Sequence, residues 1–104
     1  MSLDVSSLFS DMAQSAVRVL KDEGSGASQD FLKVLQNNKD SMAELIAARA
    51  DGDLDQEEFE SELEREKLVM EAELISLEII AKSAIQKAMN AAMDTLKSAL
   101  VAAI

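Results

Sequence analysis

The stretch DGDLDQEEF, residues 51–59, marks the boundary between two helices. Gly52 stands where the C-terminus of a helix favours a residue in the left-handed conformation. Asp55 and Glu58 have the spacing of a capping box, in which each side chain accepts a hydrogen bond from the other residue's backbone N–H. These signals predict that a new helix begins at residue 55.

Downstream of this cap the sequence contains no signal that would stop the helix. Leu54 and Phe59 have the spacing of a hydrophobic staple, which strengthens the predicted start. From residue 56 to residue 104 there is no glycine, no proline and no cluster of turn residues. We therefore predict one helix over about 55–103, which would be about 70 Å long at 1.5 Å per residue.

Two shorter helices are predicted upstream, over about 4–23 and 28–49. The run of residues 24–27, which includes two glycines, ends the first helix. Ser28 then serves as the N-cap of the second. No glycine or proline interrupts 28–49, so we favour one continuous helix, with a break near residue 40 as the alternative.

The fold class predicted from these elements is all-α, in a single domain over residues 1–104. Its architecture is an antiparallel helical hairpin with a short N-terminal helix and a long C-terminal helix of about 45–50 residues. The upstream helices are too short to cover more than the first half of the long helix. The uncovered second half predicts an oligomeric helical bundle, a homodimer or tetramer, with parallel or antiparallel pairing left open.

The apolar residues of the long helix indicate where subunits would meet. Several of them recur at intervals of eleven residues, which is the spacing of a nearly straight helix. Residues 68–80 are apolar on several faces at once, and such a helix is normally buried. The predicted oligomer interface consists of Leu68, Met70, Leu74, Leu77, Ile80, Ala81, Ile85, Ala88, Ala92 and Leu96.

The acidic turn resembles the second half of an EF-hand calcium loop, with Gly52 at loop position six and Glu58 at position twelve. Loop positions one and three would fall on Ala47 and Arg49, which provide no carboxylate. We therefore expect no metal and no cofactor. Cation binding by the turn is the minor alternative, and its candidate ligands are Asp51, Asp53, Asp55 and Glu58.

Composition narrows the classes of function. The chain lacks histidine, cysteine and tyrosine, and it has no glycine-rich phosphate loop, so we expect no enzyme and no catalytic residue. The net charge is −10, which disfavours nucleic acid as a partner. We expect a cytoplasmic, non-enzymatic oligomerisation, scaffold or adaptor protein. The alternative is a binding module, chaperone-like or on a membrane surface, that uses the apolar C-terminal half; a membrane surface is the less favoured partner.

Overall fold

The computed structural model describes residues 4–23, 25–78 and 80–103. Over these residues the chain forms α-helices and no strand, which confirms the all-α class. The bundle extends 39 × 22 × 19 Å along its principal axes, well short of the predicted 70 Å helix. The helices are α1 (Val5–Leu20), α2 (Ser25–Asn37), α3 (Lys39–Ala50), α4 (Gln56–Ser76) and α5 (Lys82–Ala103).

The prediction of one helix over about 55–103 is wrong, because this region folds into α4 and α5. Helix α4 ends at Ser76 with Leu77 as its C-cap. Glu78 follows in the left-handed conformation, with a φ of 58°. Helix α5 begins at Lys82 and packs mainly against α1, with a smaller contact to α4.

Burial explains why the chain turns here without a glycine or a proline. A straight helix would leave the apolar face of α5 in water, whereas the turn buries Ile85, Met89 and Leu96 almost completely. Burying one large apolar side chain contributes roughly 1.5–3 kcal/mol. A left-handed residue with a side chain costs about 1–2 kcal/mol. Several burials therefore outweigh one strained residue at Glu78.

The prediction of a continuous helix over 28–49 is also wrong, and the alternative break is confirmed close to residue 40. Helix α2 ends at Asn37, and Asn38 is the N-cap residue of α3. The Asn38 side-chain amide donates a hydrogen bond of 2.8 Å to the carbonyl oxygen of Val34. Asparagine side chains that bond to nearby backbone compete with the helical hydrogen-bond pattern, which favours a break at this residue.

The first helix agrees with its prediction more closely than the start of the second does. The Asp4 carboxylate caps α1 by accepting a hydrogen bond from the Ser7 backbone N–H at 3.2 Å. Helix α2 already begins at Ser25, so Ser28 lies inside its first turn and is not the N-cap. Gly24, predicted to help end the first helix, lies outside the described residues.

The predicted features of the 51–59 turn are confirmed. Gly52 has a φ of 84°, the left-handed conformation expected after a helix. The Asp55 carboxylate accepts a hydrogen bond from the Glu58 N–H at 2.8 Å, and the Glu58 carboxylate accepts one from the Asp55 N–H at 3.1 Å. Phe59 is buried in the core, and Leu54 is partly buried against it.

Removing the Asp55 cap should lower the stability of the folded chain by a measurable amount. We expect Asp55→Ala to lower the free energy of unfolding by about 1 kcal/mol, because a backbone N–H of α4 loses its partner. Urea denaturation followed by circular dichroism measures the change. Asp53→Ala is the matched control, since Asp53 is exposed in the same turn and caps no helix. Equal effects of the two substitutions would contradict a stabilising role for the capping box.

The eleven-residue spacing predicted from the sequence marks the core side of both α4 and α5. The four residues of this series are at most 2% exposed although the helix is broken between them. The turn therefore preserves the side of the chain that faces the core. The series consists of Leu63, Leu74, Ile85 and Leu96.

Candidate functional site

Apolar side chains lie on the outer face of α4, opposite the face that completes the core. Leu68, Ala72 and Ile75 are spaced i, i+4 and i+7, so they form one line along the helix. Leu68 is 55% exposed and Ile75 is 40% exposed, while Val69 beside them is 46% exposed. Ala72 is exposed as well. We call these four residues, Leu68, Val69, Ala72 and Ile75, the α4 stripe.

The line of the α4 stripe continues toward the N-terminus of the helix as an acidic surface. Glu57, Ser61 and Glu64 precede Leu68 at the same helical spacing, and all three are exposed. The whole of α4 carries eight glutamates against two basic residues, a net charge of −6. One of the bases, Arg65, lies 3.7 Å from the Glu62 carboxylate. The outer face of α4 is therefore apolar at one end and anionic at the other.

The α4 stripe differs from what the sequence predicts for residues 68–80, where burial on all sides is expected. Met70 and Leu74 are buried, but Leu68 and Ile75 face solvent on the same helix. Spacing is the signal that separates the two sets. Leu63, Met70 and Leu74 fall on one side of a helical projection, and the α4 stripe falls on the opposite side.

Most of the predicted oligomer interface lies in the core of the single chain. Seven of the ten residues are less than 9% exposed, and α1 covers the half of the sequence expected to be uncovered. These seven cannot contact another subunit while the bundle is closed. They are Met70, Leu74, Ile80, Ile85, Ala88, Ala92 and Leu96. The other three, Leu68, Leu77 and Ala81, are exposed.

The carboxylates of the acidic turn either cap a helix or lie exposed. Asp55 and Glu58 use their carboxylates to cap α4, as described above. Asp51 and Asp53 are exposed at the end of α3. Among the described residues, no three acidic side chains converge as a metal ion would require. The four candidate ligands therefore form a capped helical turn, and the resemblance to an EF-hand stops at the local sequence.

Two of the concave surfaces among the described residues lie between α1 and α2 and beside the end of α5. A groove between α1 and α2 is lined by Phe9, Ala13 and Leu32, with Lys39 at one end. A cavity of about 210 Å³ lies between the end of α3, the start of α4 and the end of α5. Its Arg49 guanidinium donates hydrogen bonds to the Gln56 side-chain oxygen at 3.2 and 3.3 Å, so Arg49 holds the turn together.

Comparison with protein-family models, with curated proteins and with solved structures returns no match for this chain. Its function therefore has to be inferred from its own residues. No helix within the described part of the chain combines the length and the apolar character that crossing a bilayer requires. The α4 stripe with its acidic extension is the surface of the bundle that best fits a ligand.

Proposed function

We propose that this chain is a non-enzymatic helical module that binds another protein, and that the α4 stripe is its binding surface. The supporting observation is that four apolar side chains remain exposed side by side on a helix whose other face completes the core. Contiguous exposed apolar residues mark surfaces for protein contact, whereas isolated ones are common and need no explanation. This surface replaces the C-terminal half, which folds into the core.

The outer face of α4 fits one class of partner, an amphipathic helix with basic residues near one end. Apolar side chains of such a helix, spaced by three or four residues, would pack on Leu68, Ala72 and Ile75. Lysine or arginine side chains near its end would lie beside Glu57 and Glu64. The basic end of the partner therefore points toward the N-terminus of α4.

The size of the α4 stripe suits a reversible contact. Stable protein interfaces bury about 800 Å² on each partner, more than four side chains provide. The acidic half of α4 must supply the rest, mainly as electrostatic steering, which speeds association more than it slows dissociation. Reversible binding of this kind suits a scaffold or adaptor, for which we propose a cytoplasmic role. A chaperone-like role would use the same surface to hold an exposed client helix.

Loss of the stripe should abolish binding while leaving the fold intact. Helical peptides selected from a displayed library against the chain should lose at least about tenfold in affinity for Leu68→Ser/Ile75→Ser, because two apolar contacts disappear. The free energy of unfolding should change by no more than about 0.5 kcal/mol per exposed position. Fluorescence anisotropy of the labelled peptides and urea denaturation measure the two quantities.

Leu32→Ser is the matched control, since Leu32 is 39% exposed on α2 and lies outside the α4 stripe. We expect it to leave peptide affinity unchanged. A second variant, Glu57→Gln/Glu64→Gln, should lower the association rate and weaken its dependence on salt. Selected peptides that bind the stripe variant as tightly as the native chain would overturn the proposal, and so would peptides sensitive only to Leu32→Ser.

A further inference from the structure

The further inference concerns α5 and the way in which it joins α4 and packs on α1. We infer that two copies exchange α5: Glu78 becomes helical, α4 and α5 join into one helix, and each α5 packs on α1 of the other copy. This inference does not require the α4 stripe to bind anything. It rests on the α1–α5 contact, on the connection between α4 and α5, and on the alignment of these two helices.

The contact between α1 and α5 can form equally well within one chain or between two. Helix α5 packs mainly on α1, makes a smaller contact with α4, and follows α4 directly in the sequence. The Ser15 and Thr95 hydroxyls are hydrogen-bonded at 2.6 Å across the α1–α5 contact, and Ala16 of α1 and Ala88 and Leu96 of α5 have no exposed surface. Because an exchanged helix meets an identical α1, every buried contact of this interface is kept. Such exchange is a low-cost route to a dimer.

The connection between α4 and α5 favours a helix once the constraint of the closed fold is removed. Glu78 adopts a left-handed conformation that side chains disfavour, and straightening releases it. Residues 77–81 contain no glycine and no proline. In a continuous helix Glu78 would also lie one turn before Lys82, which is the favourable order for an ion pair at this spacing.

The antiparallel alignment of α4 and α5 places their connection at the centre of the exchanged dimer. The two helices run antiparallel, since Gln56 shares a cavity with Val101 and Lys67 shares one with Asn90. In each pair the two residues lie equally far in sequence from the connection between α4 and α5. The two-fold axis of the exchanged dimer would therefore pass through this connection. Glu78 of each copy would then lie beside this axis. The predicted interface residues Leu77 and Ala81, exposed in the closed monomer, would lie beside the axis.

The chain concentration during refolding should decide whether the closed monomer or the exchanged dimer is present. Association costs translational and rotational freedom, so the closed monomer prevails in dilute solution. Opening must also detach α5 from α1, so the two forms should interconvert slowly after folding. We therefore expect a dimer when the chain is refolded at about millimolar concentration, and a monomer when it is refolded at about micromolar concentration.

Substitutions at residue 78 test the role of the connection. Sedimentation velocity after concentrated refolding should show that Glu78→Gly lowers the dimerisation constant at least about tenfold, because glycine accepts the left-handed conformation and weakens the continuous helix. Glu78→Ala keeps a side-chain carbon, so its dimer should persist. Glu60→Gly is the control, because this exposed residue is helical in both forms and the dimerisation constant should not change.

Spin labels on different chains test the exchange directly. One chain carries a label at Gln56→Cys and the other at Val101→Cys, and the two are refolded together. An exchanged dimer brings these positions to one cavity, so a short intermolecular distance should appear in its double electron–electron resonance spectrum. The dimer should also form with Leu68→Ser/Ile75→Ser, which separates exchange from pairing through the α4 stripe.

Three results would overturn the inference. The first is a monomer at every concentration for the native chain and for Glu78→Ala. The second is a dimer in which labels on different chains show no short distance. The third is a dimer that Glu78→Gly leaves as stable as before. Each of these leaves the proposed binding function of the α4 stripe unaffected, because that function is measured by peptide affinity.

Discussion

Two nitroxide labels on one chain, at Gln56→Cys and Val101→Cys, are expected to lie less than half as far apart as in an unbroken helix. Both positions line one cavity, and the longest dimension of the bundle is 39 Å. A continuous helix would separate them by about 68 Å, at 1.5 Å per residue. The native sequence contains no cysteine, so the labels attach only at these exposed positions. Double electron–electron resonance at micromolar concentration measures the distance.

A second label pair calibrates this measurement. Gln56→Cys and Ser76→Cys both lie in α4, and their separation should be about 30 Å whether or not the chain turns after α4. Doubly labelled chains are diluted into an excess of unlabelled chain, so only distances within one chain are recorded. A distance near 68 Å between the labels at residues 56 and 101 in the monomer fraction would show that α4 and α5 form one continuous helix, without the turn at Glu78. The same distance confined to a dimer fraction would support the exchange of α5.

The local elements of this fold are predictable because short-range rules determine them. The capping box of Asp55 and Glu58 and the left-handed Gly52 follow from residues within one helical turn of each other. The turn at Glu78 has no such signal. It exists because α1, more than fifty residues earlier, offers a surface on which α5 is buried. Local sequence favours a helix there, and tertiary packing overrides it.

The candidate site could be predicted only in part, for a related reason. The acidic character of α4 is plain from its sequence, and four of its eight glutamates are exposed, at positions 57, 58, 60 and 64, whereas Glu71 is buried. The apolar residues after Leu68 are harder to assign, since burial depends on which face meets the core. That choice is fixed by the helices that pack on α4, which are α2, α3 and α5. Exposure of Leu68 and Ile75 therefore emerges only once the bundle is assembled.

Leu96→Ala is expected to be among the most destabilising single substitutions in the chain. Leu96 has no exposed surface and lies on α5, the helix that packs mainly on α1. Replacing a fully buried leucine by alanine typically costs about 2–5 kcal/mol, because burial is lost and a cavity is left. A domain of this size is stabilised by roughly 5–15 kcal/mol in total, so the variant should unfold at a much lower urea concentration.

Val101→Ala is the matched control for this prediction, because Val101 lies on the same helix and is 74% exposed. Its free energy of unfolding should stay within about 0.5 kcal/mol of the native value. The comparison separates tertiary packing from helix formation, since both substitutions introduce alanine, the strongest helix former. Equal, small effects would mean that Leu96 is not buried in the core. A large effect confined to Leu96→Ala would show that burial of this side chain holds α5 in the bundle.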